Sequence, residues 1–191
     1  MNIFILDNDI ELNVQYHCDA HIIKMILESV QMLSSCYRYY NGINTKVTLP
    51  DNTIKTINLI PDENYKIVKI KNKYVLKYEN QLIYKSTHLN HPCSKWVRES
   101  YSNYHYLIQL TLELEKERKY RYKNGKLNHS SINLIDTLSN LKFEDKGLTK
   151  FALAMPEEYK TDDVVTSYRN YYKNCKQHLH SWKLRGQPYW I

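Results

Sequence analysis

Six polar residues recur at helical spacing between positions 17 and 37: His17, His21, Lys24, Glu28, Gln31 and Ser35 step by 4, 3, 4, 3 and 4. At roughly 100° per residue they fall within about 80° of one another. Ile22, Ile23, Met25, Ile26, Leu27, Val30, Met32, Leu33 and Tyr37 fill most of the remaining circumference. An ordinary surface helix has the opposite proportions, a wide polar face and a narrower apolar stripe. This helix is therefore expected to be engulfed on most sides. Burying Lys24 and Glu28 without partners would cost several kcal/mol each, so the polar line should face a wet cleft. Imidazole, amine and carboxylate in one line form an acid–base set, which makes Glu28, Lys24 and His21 the candidate catalytic groups. The competing reading is a plain i,i+4 ion pair between Lys24 and Glu28 on a solvated strip.

A second constellation lies in THLNHP, where Thr87, His88, Asn90 and His91 precede Pro92. Proline suits the first turn of a helix, with Asn90 or His91 as its cap. A helix N-terminus attracts phosphate or carboxylate. Arg98, two turns on, could bind phosphate bidentately or stand solvated. His17, His88, Asn90, His91, Arg98, Gln31 and Tyr16 are thus the candidate substrate- or phosphate-binding residues. His17 and His21 with His88 or His91 could make a three-histidine metal site, but no strict ligand spacing supports it. No metal and no cofactor are expected. A serine or cysteine triad is not indicated, and four glycines leave no room for a Walker or GxGxxG loop.

These residues need elements to hold them. Residues 2–6 read as a short buried strand, and Asp7 or Asp9 as the cap of a first helix. The chemistry-bearing helix should run from Asp19 to Tyr40 and stop at Asn41-Gly42. Between 43 and 85, β-branched and aromatic runs alternate with turn residues, which predicts two or more hairpins. One long helix is expected over 93–122, ending near Asn124-Gly125, then a shorter one over 130–141. A loop containing Pro156 and a last helix from Asp162 or Asp163 to Leu179 should follow, with an irregular tail. The fold class is therefore mainly α (α+β): a single helical domain over 1–191 with a β-hairpin insertion at 43–85.

Composition sets bounds. The 191 residues carry 27 Lys and Arg against 20 Asp and Glu, a net charge of +7, so polyanions or anionic ligands are the natural partners. Tyrosine is abundant, at 18, and interleaves with positive charge from Tyr168 to Trp190. That pattern suits base stacking and phosphate neutralisation, or else a helix with an aromatic core face; Trp182 and Trp190 need covering in either case. Cys18, Cys36, Cys93 and Cys175 are widely spread and read as free thiols. The first residues turn acidic at once, unlike a secretory signal, and no run approaches the ~18 apolar residues of a membrane span.

The runs NIFILDND, YHCDAHIIKMILESVQML, YKSTHLNHPCSKWVRES, RYKNGK, FALAMPEEYK and YRNYY resemble a family of small phage and large-virus proteins. Those proteins are similar to pyrimidine-dimer DNA glycosylases of the phage endonuclease V type. The resemblance covers most of the chain outside 43–82. It implies a helical repair enzyme whose N-terminal α-amine, exposed by removal of Met, is the nucleophile, with a glutamate as partner. Here the second residue is Asn2, which is bulky enough for Met1 to be retained. Glu28 is the candidate glutamate, and Lys24, one turn away, the alternative amine.

The expected function is that of a viral DNA glycosylase/AP lyase acting on damaged or modified DNA in the host cytoplasm. A phosphate-containing nucleotide is the alternative ligand: the same cleft could sequester a nucleotide second messenger of host defence without catalysis. Hydrolysis of a free modified nucleotide by the His/Glu set is a third reading. Copies of the chain itself are admitted as partners; a membrane is not.

Overall fold

Asp9 starts the first helix, α1 (Ile10–Tyr16), by accepting a hydrogen bond from the Leu12 N–H at 2.9 Å. The computed structural model describes residues 1–122 and 127–191. Two residues after α1 the chain enters α2 (Asp19–Asn41), the longest helix, whose Ile22, Met25, Ile26, Val30, Met32 and Leu33 are all buried. Burying such side chains stabilises by about 1.5–3 kcal/mol each. Helix α2 lies against α4 (Tyr101–Arg121), and Leu107, Ile108, Leu110 and Leu114 join the same core. Helix α3 (Pro92–Glu99) packs on both. Helix α5 (Ile135–Ser139), preceded by the 3-10 turn Ser130–Leu134, and α6 (Val164–Cys175) complete the helical body. Among the described residues no helix is long and apolar enough to cross a membrane.

The expected hairpins are two separate antiparallel pairs. Strand β1 (Ile43–Thr48) pairs with β2 (Ile54–Leu59), and β3 (Tyr65–Ile70) with β4 (Lys73–Tyr78). They are tied to the helical body by Arg38, whose side chain is fully buried. Its five N–H donors are all used: on Tyr84 O (2.7 Å), Asn58 O (2.9 Å), Ile83 O (3.0 Å) and both oxygens of Glu63 (2.8 and 2.6 Å). Helix α2 stops at Gly42, as expected, but for another reason. Gly42 keeps an ordinary φ of −84°. A Cβ there would collide with the Arg38 carbonyl and the Asn58 amide, so glycine is required by close approach, not by a left-handed turn.

Four expectations are corrected. Residues 2–6 are buried but form no strand, because no other strand lies alongside. Asn13 Oδ1 instead accepts from the Leu6 N–H (2.7 Å), and Arg169 donates to Leu6 O (2.8 Å). The single helix over 93–122 is two helices, broken at Ser100, which is extended at φ −151° and ψ 145°. Asp145 holds the break, accepting from Ser100 Oγ (2.8 Å) and from the Ser102 N–H (2.9 Å). Helix α4 ends at Arg121; the predicted stop at Asn124-Gly125 lies outside the described residues. The helix over 130–141 is a 3-10 turn followed by α5, and the last helix ends at Cys175 before a separate turn over Gln177–Leu179.

Candidate functional site

Helix α2 places His21, Lys24 and Glu28 at i, i+3 and i+7, which is one face. That face looks onto the beginning of the chain. Met1, Asn2, Phe4, His91, Ala154, Tyr171 and Lys176 close a recess of about 260 Å³ around the three. Lys24 is exposed, as a solvated i,i+4 pair would have it, while its partner Glu28 is turned into the recess. The Glu28 carboxylate, largely buried, lies 3.5 Å from the Met1 α-amine through Oε2 and 3.6 Å from Lys24 Nζ through Oε1. It also accepts the Asn2 N–H at 3.2 Å. Two primary amines thus flank one carboxylate.

Asn2 holds the chain's first residues against this face. Its Nδ2 donates to Ala154 O at 2.9 Å, and its Oδ1 accepts from the Ile3 N–H at 2.8 Å, with the Tyr168 hydroxyl at 3.0 Å. The Met1 side chain is also buried, with its sulfur 3.6 Å from Ser94 Oγ. Asn2 is thus an anchor, and the backbone nitrogens of both Met1 and Asn2 lie beside Glu28. Placement of a terminal amine there does not depend on removal of Met1.

His21 is more constrained than an acid–base residue in water. Burial is the main cause that lowers its pKa to about 3, with His17, Lys176, Lys24 and His178 adding positive charge nearby. It is neutral at pH 7. The buried Tyr172 hydroxyl accepts from the Cys18 N–H (2.8 Å) and sits 2.7 Å from His21 Nδ1. The contact is a hydrogen bond in either imidazole tautomer, because a hydroxyl oxygen can accept twice or donate once. Phe4 stacks on the ring at 4.7 Å. His21 is a neutral ring fixed in place between Tyr172 and Phe4. His91 caps α3, its Nδ1 accepting from the Cys93 N–H at 3.2 Å. Its pKa is lowered by burial first, then by the α-amine and His88, against the pull of Glu28. On the far wall, Lys176 Nζ lies 4.8 Å over the Tyr171 ring. Three amines against one carboxylate make the recess a place for an anion.

The other candidates are not gathered here. His17 lies before α2, whose N-cap is Cys18, so it leaves the polar line; it is buried, bonds Asn13 O through Nδ1 (2.8 Å), and burial lowers its pKa to about 4. Tyr16 packs against Tyr189 and Trp190 around the Arg169 guanidinium. Gln31 lies one turn beyond Glu28 and does not line the recess. His88 and Asn90 are exposed on the preceding loop, where His88 meets Thr87 Oγ1 at 2.5 Å. Arg98 turns back onto Leu89 O (2.7 Å) and the Tyr39 ring. The basic aromatic C-terminus faces inward in part: Tyr168 and Tyr172 are buried and Trp182 bonds Tyr16 O at 3.0 Å, while Lys173, Lys183 and Tyr189 are exposed.

Among the described residues no three His, Cys, Asp or Glu side chains are gathered to hold a metal ion. The four cysteines are unpaired. A larger trough, about 480 Å³ between Ile10, Leu112 and Lys116, is lined by side chains that include the Lys116–Glu113 ion pair and offers no activated nucleophile. Sequence reasoning missed Asn2 as an anchor and Tyr171 and Lys176 as a wall. The last two stood within the basic aromatic run, but nothing in their spacing pointed to α2. No protein family, curated protein or solved structure matches this chain.

Proposed function

We propose that the chain is a DNA glycosylase/AP lyase that uses the amine–carboxylate pair at the floor of this recess. One observation carries the reading: the Met1 α-amine lies 3.5 Å from the largely buried Glu28 carboxylate in a small cationic pocket. The α-amine lies against the Glu28 carboxylate at the wall of the recess, whereas Lys24 is exposed at its rim, so the α-amine is taken as the nucleophile. A lesion nucleotide turned out of the duplex presents its C1′ there. The amine nitrogen bonds to C1′ as the glycosidic bond breaks. The base leaves with the bonding pair and takes up a proton. The amine gives up two protons, one relayed through Glu28 to the leaving base and one to the opened ring oxygen, leaving an imine. Loss of a C2′ proton then expels the 3′ phosphate. Lys24 and Lys176, which line the recess beside His21, hold the flanking phosphate.

Borohydride, which reduces an imine to a stable amine, tests this on duplex containing an abasic site. The expected result is a covalent adduct that maps to the first residue and falls about 10²–10⁴-fold in Glu28→Gln. Absence of an adduct overturns the lyase, and an adduct on Lys24 overturns the α-amine assignment. The excess of donors over acceptors in the recess also favours a second reading, capture of a nucleotide without turnover. Recovery of intact nucleotide after incubation, with no adduct on DNA, selects it.

A further inference from the structure

The hairpin β3–β4 has a charge pattern that the recess does not use. From Tyr65 to Tyr78 it carries Lys66, Lys69, Lys71, Lys73 and Lys77 and no acidic residue. All five lysines are exposed, and no residue of the hairpin is buried. The lysine ion pairs among the described residues involve Lys24, Lys116, Lys119, Lys146 and Lys160, none of them on this hairpin. The register places Lys66 directly opposite Lys77 on one face, with Lys73 two pairs further along opposite Ile70. Like charges opposite one another destabilise a ladder, and a two-stranded ribbon with neither face covered is marginal alone. The other face pairs Tyr65 with Tyr78 and Lys69 with Tyr74. The tip is Lys71-Asn72-Lys73, too polar to enter a lipid core.

We infer that this hairpin is an arm that binds the sugar–phosphate backbone of a DNA duplex beside the site of chemistry. The inference rests on the reading that the ligand is DNA. Phosphates supply the counter-charge that the Lys66–Lys77 pair lacks. A two-stranded ribbon of six-residue strands, about 20 Å long, has the dimensions that the major groove admits. The arm is rooted where Arg38 grips Glu63 and Asn58, ten residues along α2 from Glu28 and so about 15 Å away. It therefore holds undamaged duplex several base pairs from the lesion, and Tyr65 and Tyr74 on its second face add contact to sugars and bases, while Tyr78 is held inward by Asn58 O and Arg38.

The test measures binding of the whole protein to an undamaged duplex of about 20 base pairs across a salt series. With all five lysines changed to Ser, affinity should fall at least about tenfold at 0.1 M salt, and the slope of log K against log salt should lose about 0.9 per phosphate contact removed. The five-fold Lys→Arg variant should bind like the parent, and equal melting temperatures show that the fold is kept. Unchanged binding by the Ser variant, loss of binding by the Arg variant, or tighter binding to anionic phosphatidylserine vesicles than to duplex overturns the arm. Borohydride trapping on a short abasic oligonucleotide is independent of it. Trapping without arm-dependent duplex binding sinks the arm alone, and the converse sinks the lyase alone.

Discussion

Replacing Arg38 by Met should cost more than any surface change, and the structure says how much. The guanidinium is fully buried and bidentate on a fully buried Glu63. Its removal leaves that carboxylate with only the Leu82 and Ile60 N–H groups, at 2.9 and 3.2 Å, and takes a donor from three carbonyls. Breaking a buried pair by deleting one partner costs about 3–5 kcal/mol. At about 2–4 °C per kcal/mol for a chain of this size, the melting temperature should fall by about 6–20 °C. The double variant Arg38→Met/Glu63→Leu removes the stranded charge and should recover most of the loss. Acid separates the cases further. Burial pushes the Glu63 carboxyl up, but the Arg38 guanidinium and the two N–H groups outweigh it and hold it below the usual range. In the parent its contribution is present above about pH 4.3 and fades as pH falls through the lowered value. In Arg38→Met the carboxyl is left to desolvation and protonates more readily, so the gap between the two proteins narrows on acidification. Thermal melts by circular dichroism at pH 7 and pH 4 read both effects. A single variant that melts within about 2 °C of the parent, or a double variant no better than the single, refutes the clamp.

Two buried histidines make stability fall with acid. The pKa of His17 is lowered to about 4 and that of His21 to about 3, in both chiefly by burial, whereas the unfolded chain takes up these protons near 6.5. The unfolded state therefore binds more protons below pH 6.5, and stability should drop by about 1.4 kcal/mol per pH unit for each until the folded value is reached. Urea midpoints that stay flat from pH 7 to pH 5 would contradict this. Gly42→Ala drives a methyl into the Arg38 carbonyl and the Asn58 amide and should cost about 1–3 kcal/mol, visible as a lower urea midpoint at constant slope.

Local signals carried the helical plan. The apolar circumference of α2, the Asp9 and Asp163 caps, the Pro92 start and the turn residues between hairpins each act within a few residues of the element they define. What the sequence hid depends on partners far away. Ser100 breaks α3 from α4 because Asp145 captures it, a residue 45 positions on. His17 continues the four-and-three spacing arithmetically, yet the chain is still extended at Cys18, so the ring turns towards Asn13 instead of the recess. Glu28 and Lys24 were legible from their places on the polar line, whereas the α-amine beside Glu28 was implied by the resemblance alone and by no spacing. That placement is decided by Asn2 bonding Ala154, a contact no periodicity encodes.

The fastening of Asn2 also has a bearing on how the chain is made. Its amide bonds Ala154, 152 residues on, and its oxygen meets the Tyr168 hydroxyl, 166 on. Asp19 likewise receives Ser181 and Lys183, 162 and 164 residues later. Residues near position 2 are thus secured by residues more than 150 positions on. During synthesis Glu28, Asn13 and Ser94 are present early, but the Ala154 and Tyr168 contacts wait until the ribosome has passed residue 170, and closures of such span fold slowly. The wall of the recess is complete only once Tyr171 and Lys176 have joined it.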